Sequence, residues 1–108
     1  MIEKDKQAPE FSCENQKGES KSLTDYKGKY LVIYFYPKDN TPGCTKEANE
    51  FSDRYDEFSK RNTEVIGVSK DTVKSHYKFC DKFGLKMDLL SDVNGEMIET
   101  YGAWQEKS

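Results

Sequence analysis

The apolar positions of this 108-residue chain gather into a few short runs separated by polar turns. The densest run is Tyr30-Leu31-Val32-Ile33-Tyr34-Phe35-Tyr36. It lacks strict alternation and is rich in aromatic and β-branched residues. That predicts a central strand buried on both faces, as in a parallel or mixed sheet with helices on each side. Pro37 ends it. Upstream, Ala8 to Cys13 alternates, with Phe11 and Cys13 on one side, and reads as a short edge strand with Pro9 at its start. Asn15-Gln16-Lys17-Gly18 is a turn signal, and Ser20 to Leu23 is the return strand of a hairpin. Thr24 to Lys29 is a polar connection.

Downstream, Ala48, Phe51, Tyr55 and Phe58 form one apolar stripe of a helix that starts near Cys44 and runs to about Arg61. Thr63 to Ser69 is a second strand. Asp71 suits the N-cap of the next helix, which stops at Gly84. On that helix Val73, His76, Tyr77 and Cys80 share a face, with Phe79 and Phe83 beside it. Met87 to Leu90 is a third strand, Asp92 to Gly95 a turn, and Glu96 to Tyr101 a short helix ended by Gly102. A hairpin followed by alternating strands and helices predicts a single α/β domain with a mostly parallel core.

Composition thins this picture. Apolar residues are 34% of the chain, and the 7 glycines raise the sum to only about 40%, below the ~45–50% of ordinary globular domains. The core is therefore small for the length. A net charge of -3, with lysines interleaved among acids, excludes a basic nucleic-acid footprint. No apolar run is long enough to span a membrane. The first six residues, four of them charged, carry no signal-peptide core, so the cytoplasm or another reducing compartment is expected. Three cysteines, an odd count, argue for reactive or buried thiols over a disulfide framework.

The candidate chemistry lies in Pro37-Lys38-Asp39-Asn40-Thr41-Pro42-Gly43-Cys44-Thr45. A strand, a tight Pro/Gly turn and a cysteine at a helix start are how a reactive thiolate is built. The unpaired N–H groups and dipole of the helix favour negative charge there. Such a field lowers a thiol pKa from about 8.5 into the range of ~3.5–7.5. A buried structural thiol is the plain alternative, and the turn and helix start weigh against it. Cys80 is either a core residue or a redox partner. Cys13, beside Phe11, reads as packing. His76 and Cys80 have metal-ligand spacing, but two ligands without a second pair are weak, and a satisfied or exposed histidine is the better reading. The aromatic residues after Cys44 are core.

Tyr34 to Ala48, Y-F-Y-P-K-D-N-T-P-G-C-T-K-E-A, closely resembles the active-site segment of peroxiredoxins, and within them the bacterioferritin comigratory protein (Q-type) subfamily. Ala8-Pro9-Glu10-Phe11 is similar to that family's opening A-P-x-F, and Tyr101-Gly102-Ala103-Trp104 with Glu106-Lys107 to its Y-G-x-W-x-E-K. The resemblance spans almost the whole chain in the right order. It implies a thioredoxin-like fold, with a mixed central sheet flanked by helices and an N-terminal hairpin. The implied activity is a thiol peroxidase reducing hydrogen peroxide and organic hydroperoxides, regenerated by thioredoxin or a similar dithiol. It implies no metal, haem or flavin, no nucleic acid and no membrane, and a monomer or weak dimer. By the family pattern Cys44 is the peroxidatic cysteine, Pro37 shields the site and shapes the turn, and Thr41 holds thiolate and peroxide through its hydroxyl.

Two departures from the family matter. Many members carry the resolving cysteine five residues after the peroxidatic one, where this chain has Asn49. Other members place the resolver in the next helix, which here points to Cys80. A disulfide needs Cα atoms within about 7 Å, so a conformational change on oxidation is expected. The family's active-site arginine follows the Y-G-x-W-x-E-K segment, and this chain has only Arg54 and Arg61. Arg54 is about 15 Å along a helix from Cys44 at 1.5 Å per residue. The expectation is a single domain over residues 1–108, incomplete at the C-terminus, with an exposed flank on Tyr30–Tyr36. Ser52 stands where the subfamily often has arginine. The alternative function is a non-catalytic thioredoxin-like fragment or interaction module lacking the arginine.

Overall fold

The computed structural model describes residues 9–107, with side chains described as far as Gly102. Ala8 and the Trp104 side chain, both in the segments that carry the resemblance, lie outside these bounds. Five strands form one mixed sheet: β1 (Ser12–Glu14), β2 (Ser20–Ser22), β3 (Tyr30–Phe35), β4 (Thr63–Ser69) and β5 (Asp88–Ser91), in the order β2-β1-β5-β4-β3. β3 pairs with β4 in parallel, from Tyr30 opposite Thr63 to Phe35 opposite Val68. β4 pairs with β5 in parallel, and β1 is antiparallel to both β2 and β5. The helices are α1 (Pro42–Asp53), α2 (Tyr55–Lys60), α3 (Val73–Phe83) and α4 (Glu96–Lys107). A 3-10 turn over Leu23–Tyr26 fills the expected polar connection and buries Tyr26.

The unbroken hydrophobicity of β3 follows from its two covered faces. Leu31, Ile33 and Phe35 enter one core, with Phe11, Ile66, Leu90, Met97 and Tyr101. Val32, Tyr34 and Tyr36 enter the other, with Ala48, Val65, Phe79, Cys80 and Leu89. Successive side chains thus alternate between the α4 side and the α1/α3 side, as a strand requires.

The exposed flank expected on this run is present, but the strand is not the central one. β3 is the edge of the sheet among the described residues, and Tyr30 is 39% exposed. β4, paired on both sides, is the deeply buried strand, with Val65, Ile66 and Val68 fully covered. β1 is paired on both sides and begins at Ser12, so the hairpin's edge is β2.

Helix boundaries also move. The single helix expected after Cys44 is two, because Arg54 leaves helical geometry (φ -101°, ψ 6°). Its N–H is shared between the carbonyls of Glu50 and Phe51, a tightened last turn. Thr72, not Asp71, caps α3, its hydroxyl accepting from the Ser75 N–H at 3.2 Å. Gly84 ends α3 in the left-handed region (φ 62°), as expected. Tyr77 is 58% exposed and leaves the buried face, which carries His76, Phe79 and Cys80. The last helix continues through Gly102 to Lys107. Asp92, expected only as a turn residue, accepts from the N–H groups of Met97 and Ile98 at 3.1 and 2.9 Å and anchors the start of that helix.

Candidate active site

Cys44 lies in the first turn of α1, half-buried, against the core cluster that contains Cys80. Thr41 is the N-cap and Pro42 the first helical residue, where a missing N–H costs nothing. The first helical bond runs from the Thr45 N–H to the Thr41 carbonyl, at 2.8 Å. The N–H groups of Gly43 and Cys44 therefore have no carbonyl of this helix to reach. The Thr41 hydroxyl makes no bond to the helix. It donates to the Lys38 carbonyl at 3.2 Å, which closes the turn. Pro37 is exposed at the end of β3. Asn40 takes positive φ (61°), which an asparagine tolerates better than other residues with a side chain.

The turn is held from behind by a hydrogen-bond network that the sequence reading does not foresee. Tyr36 donates its hydroxyl to Asp39. Ser75 donates to the same carboxylate at 2.8 Å, and the Nδ1 of His76 lies 2.7 Å from it. The Asp39 N–H donates to Asp71 at 2.9 Å, and Asp71 also accepts from the Ser69 hydroxyl at 2.6 Å. Burial alone would push the Asp39 carboxyl up. The bonds from His76, Tyr36 and Ser75 outweigh it and hold Asp39 below the usual carboxylate range. His76 is fully buried, and its Nε2 reaches the Leu90 carbonyl at 3.0 Å. The histidine expected to be satisfied or exposed is satisfied.

Asp39, Asp71 and His76 bring three potential metal-ligand atoms within 4.8 Å of one another. Those groups already make hydrogen bonds at 2.6 to 2.9 Å within the network, which a cation between them would have to displace. Cys80 is not in that group, so the His76/Cys80 spacing does not build a metal site among the described residues.

The three thiols differ in setting. Cys80 is buried on α3, one turn after His76, and burial followed by the charges of Asp39 and Asp88 pushes its pKa up to about 12. It is a protonated thiol at neutral pH and a poor nucleophile where it stands. Cys13 is half-buried against the other core, pushed up to about 11 by burial, Asp92 and Glu96. That is a packing role. Arg54 and Arg61 are both exposed around α2. An open cleft of about 440 Å³ flanks the turn, between Asp39–Asn40 and Lys74, Lys78 and Lys82 of α3.

Residues 5–108 match the AhpC/TSA family. The chain is 43% identical to the peroxiredoxin Bcp of Bacillus subtilis over 106 residues, which are 98% of this chain and 68% of that protein. It superposes on peroxiredoxin Q of Xanthomonas campestris with a TM-score of 0.83 at 40% identity, covering 85% of this chain and 58% of that one. A second structure from that organism, a bacterioferritin comigratory protein described for its alkyl peroxide reduction activity, gives a TM-score of 0.83 at 38% identity over 85% of this chain and 59% of that one. The chain thus spans less than two thirds of these solved structures.

Proposed function

The chain belongs to the AhpC/TSA family, as a peroxiredoxin of the Bcp and Q type with a thioredoxin-like fold, and on that footing we propose that it is a thiol peroxidase acting through Cys44. The observation that carries this reading is the placement of Cys44 in the first turn of α1, beside N–H groups that no helix carbonyl can use.

In the reaction, the Cys44 thiolate attacks one oxygen of a hydroperoxide. The O–O bond breaks, Cys44 becomes a sulfenic acid, and the departing oxygen leaves as water or an alcohol after taking a proton. Charge builds on that oxygen as the bond breaks, so donors already aimed at it lower the barrier. The Gly43 and Cys44 N–H groups are the candidates on the backbone, with the Thr41 hydroxyl once it turns from Lys38. Pro37 shapes the approach. The sulfenic acid then condenses with the Cys80 thiol, giving a disulfide and water. Thioredoxin or a similar dithiol protein reduces the disulfide and becomes oxidised in turn. A reducing compartment such as the cytoplasm supplies that donor.

The test is peroxide consumption by the full-length protein coupled to a thioredoxin system, with hydrogen peroxide and one organic hydroperoxide. Cys44→Ser abolishes turnover on this reading. A Cys44→Ser protein that consumes peroxide at the parental rate overturns it, and a parent that never reacts favours the inert interaction module.

A further inference from the structure

Asp39 and His76 connect the two segments that carry the candidate redox thiols. Asp39 lies in the turn that presents Cys44, and His76 lies on α3 one turn before Cys80, on the same buried face. Their contact, Nδ1 to carboxylate at 2.7 Å, is a direct bond between those segments with no exposure on the histidine side. The tyrosine that completes it, Tyr36, ends the β3 run and also approaches the His76 Nδ1 at 3.4 Å.

The hydrogen bonds fix the orientation of the ring. A carbonyl oxygen only accepts, so the Nε2 facing Leu90 carries a proton. Asp39 accepts from Tyr36 and Ser75, and its carboxylate lies 2.7 Å from the remaining ring nitrogen, Nδ1. The contact is a buried histidine–carboxylate hydrogen bond, closed on its far side by Leu90. Removing either partner leaves a buried polar group without its counterpart, which costs more than losing an exposed hydrogen bond.

We propose that the Asp39–His76 pair is a strut that locks the Cys44 turn onto α3 in the reduced protein, and that it must part before Cys80 can reach Cys44. This rests on the peroxidase reading above. Cys80 is covered, with its thiol facing the core, so condensation with the Cys44 sulfenic acid requires α3 to open around it. The turn of α3 that has to open is the turn that His76 ties down. Asp39 and His76 are therefore positioning residues. They favour the form that meets peroxide and slow the form that makes the disulfide, which sets how long the sulfenic acid persists and how exposed it is to further oxidation.

The experiment follows both steps in the full-length protein after rapid mixing with hydrogen peroxide, reading sulfenic acid and disulfide by quenched-flow mass spectrometry. The variants are His76→Gln, Asp39→Asn and the milder Tyr36→Phe, which removes one bond without opening a cavity. Disulfide formation is expected to quicken by about tenfold in the first two and by a few-fold in Tyr36→Phe, while the peroxide step slows. Amide exchange in the variants is expected to rise in residues 38–46 and 72–84 and to stay at the parental level in β4. Parental disulfide rates in the variants overturn the strut, as does an exchange increase spread evenly over the sheet. In the unsubstituted protein, nitrogen NMR of the His76 ring is expected to show the Nδ1 hydrogen bond to Asp39 when reduced and that signature lost in the disulfide form. A signature unchanged by oxidation also overturns it. A parent that forms no disulfide at all is a different failure, of the peroxidase reading itself.

Discussion

The ring of Tyr34 lies directly over Gly67 of the neighbouring strand: a Cβ on Gly67 would stand 2.8 Å from both the ring and the hydroxyl of Tyr34, and 2.9 Å from Leu89. The glycine thus makes room for an aromatic layer beneath α1, where Tyr34 stacks on Phe51 with centroids 4.5 Å apart. Gly67→Ala forces that layer to move, and the expected loss is about 1–3 kcal/mol. Urea unfolding measures it, and parental stability would contradict the close approach. The Tyr34 hydroxyl is buried and makes no hydrogen bond among the described residues. Tyr34→Phe is expected to match the parent or gain about 1 kcal/mol in the same assay, because a buried hydroxyl without a partner costs stability.

Asp92 holds the start of α4 through two N–H groups. Asp92→Ala is expected to cost about 1–2 kcal/mol, the scale of a lost N-cap. The amides of Met97 and Ile98 should exchange faster while those of β4 do not. Equal slowing or quickening across both elements would show that Asp92 acts elsewhere.

Alkaline pH should unfold the protein earlier than its carboxylates and lysines alone would suggest. Burial first, then nearby acids, raise Cys80 from about 9 to about 12 and Cys13 from about 9 to about 11. Each is raised in the folded state, so its contribution is fully present below pH 9 and is lost as pH climbs through the folded value. Denaturation midpoints should fall steadily above pH 9, and Cys80→Ala should flatten that fall. A midpoint independent of pH between 9 and 11 would contradict the burial of both thiols.

Cys80→Ser tests the resolving role separately from the peroxidatic one. The first turnover is expected to proceed, and Cys44 sulfenic acid, trapped with dimedone, should then accumulate as thioredoxin-driven consumption stalls. Sustained thioredoxin-driven turnover would remove Cys80 from the cycle.

Much of the fold is legible along the chain because its signals are local. The β3 run, the stripe Ala48, Phe51, Tyr55 and Phe58, and Gly84 each carry their meaning within a few residues and mark a strand, a helical segment and a helix end, although the stripe reads across the break at Arg54. Strand order is different. Nothing in Tyr30–Phe35 says that it borders only one strand, because a strand covered on both faces is apolar whether it is central or lateral. The Cys44 turn is legible from Pro37, Thr41, Pro42 and Gly43. Its support is not, because Asp39 and His76 are far apart in sequence and an aspartate in a polar turn reads as solvated. The one local clue is the lone histidine on the apolar face of α3, beside Cys80. The break at Arg54 has no glycine or proline to announce it.

The reading turns on which sulfurs join. The decisive measurement is disulfide mapping by mass spectrometry on the full-length protein, fully reduced and then treated with one equivalent of hydrogen peroxide. The expected product is a single Cys44–Cys80 link with Cys13 still a free thiol. An unreacted Cys44, or a Cys44 joined to any other cysteine, would contradict it.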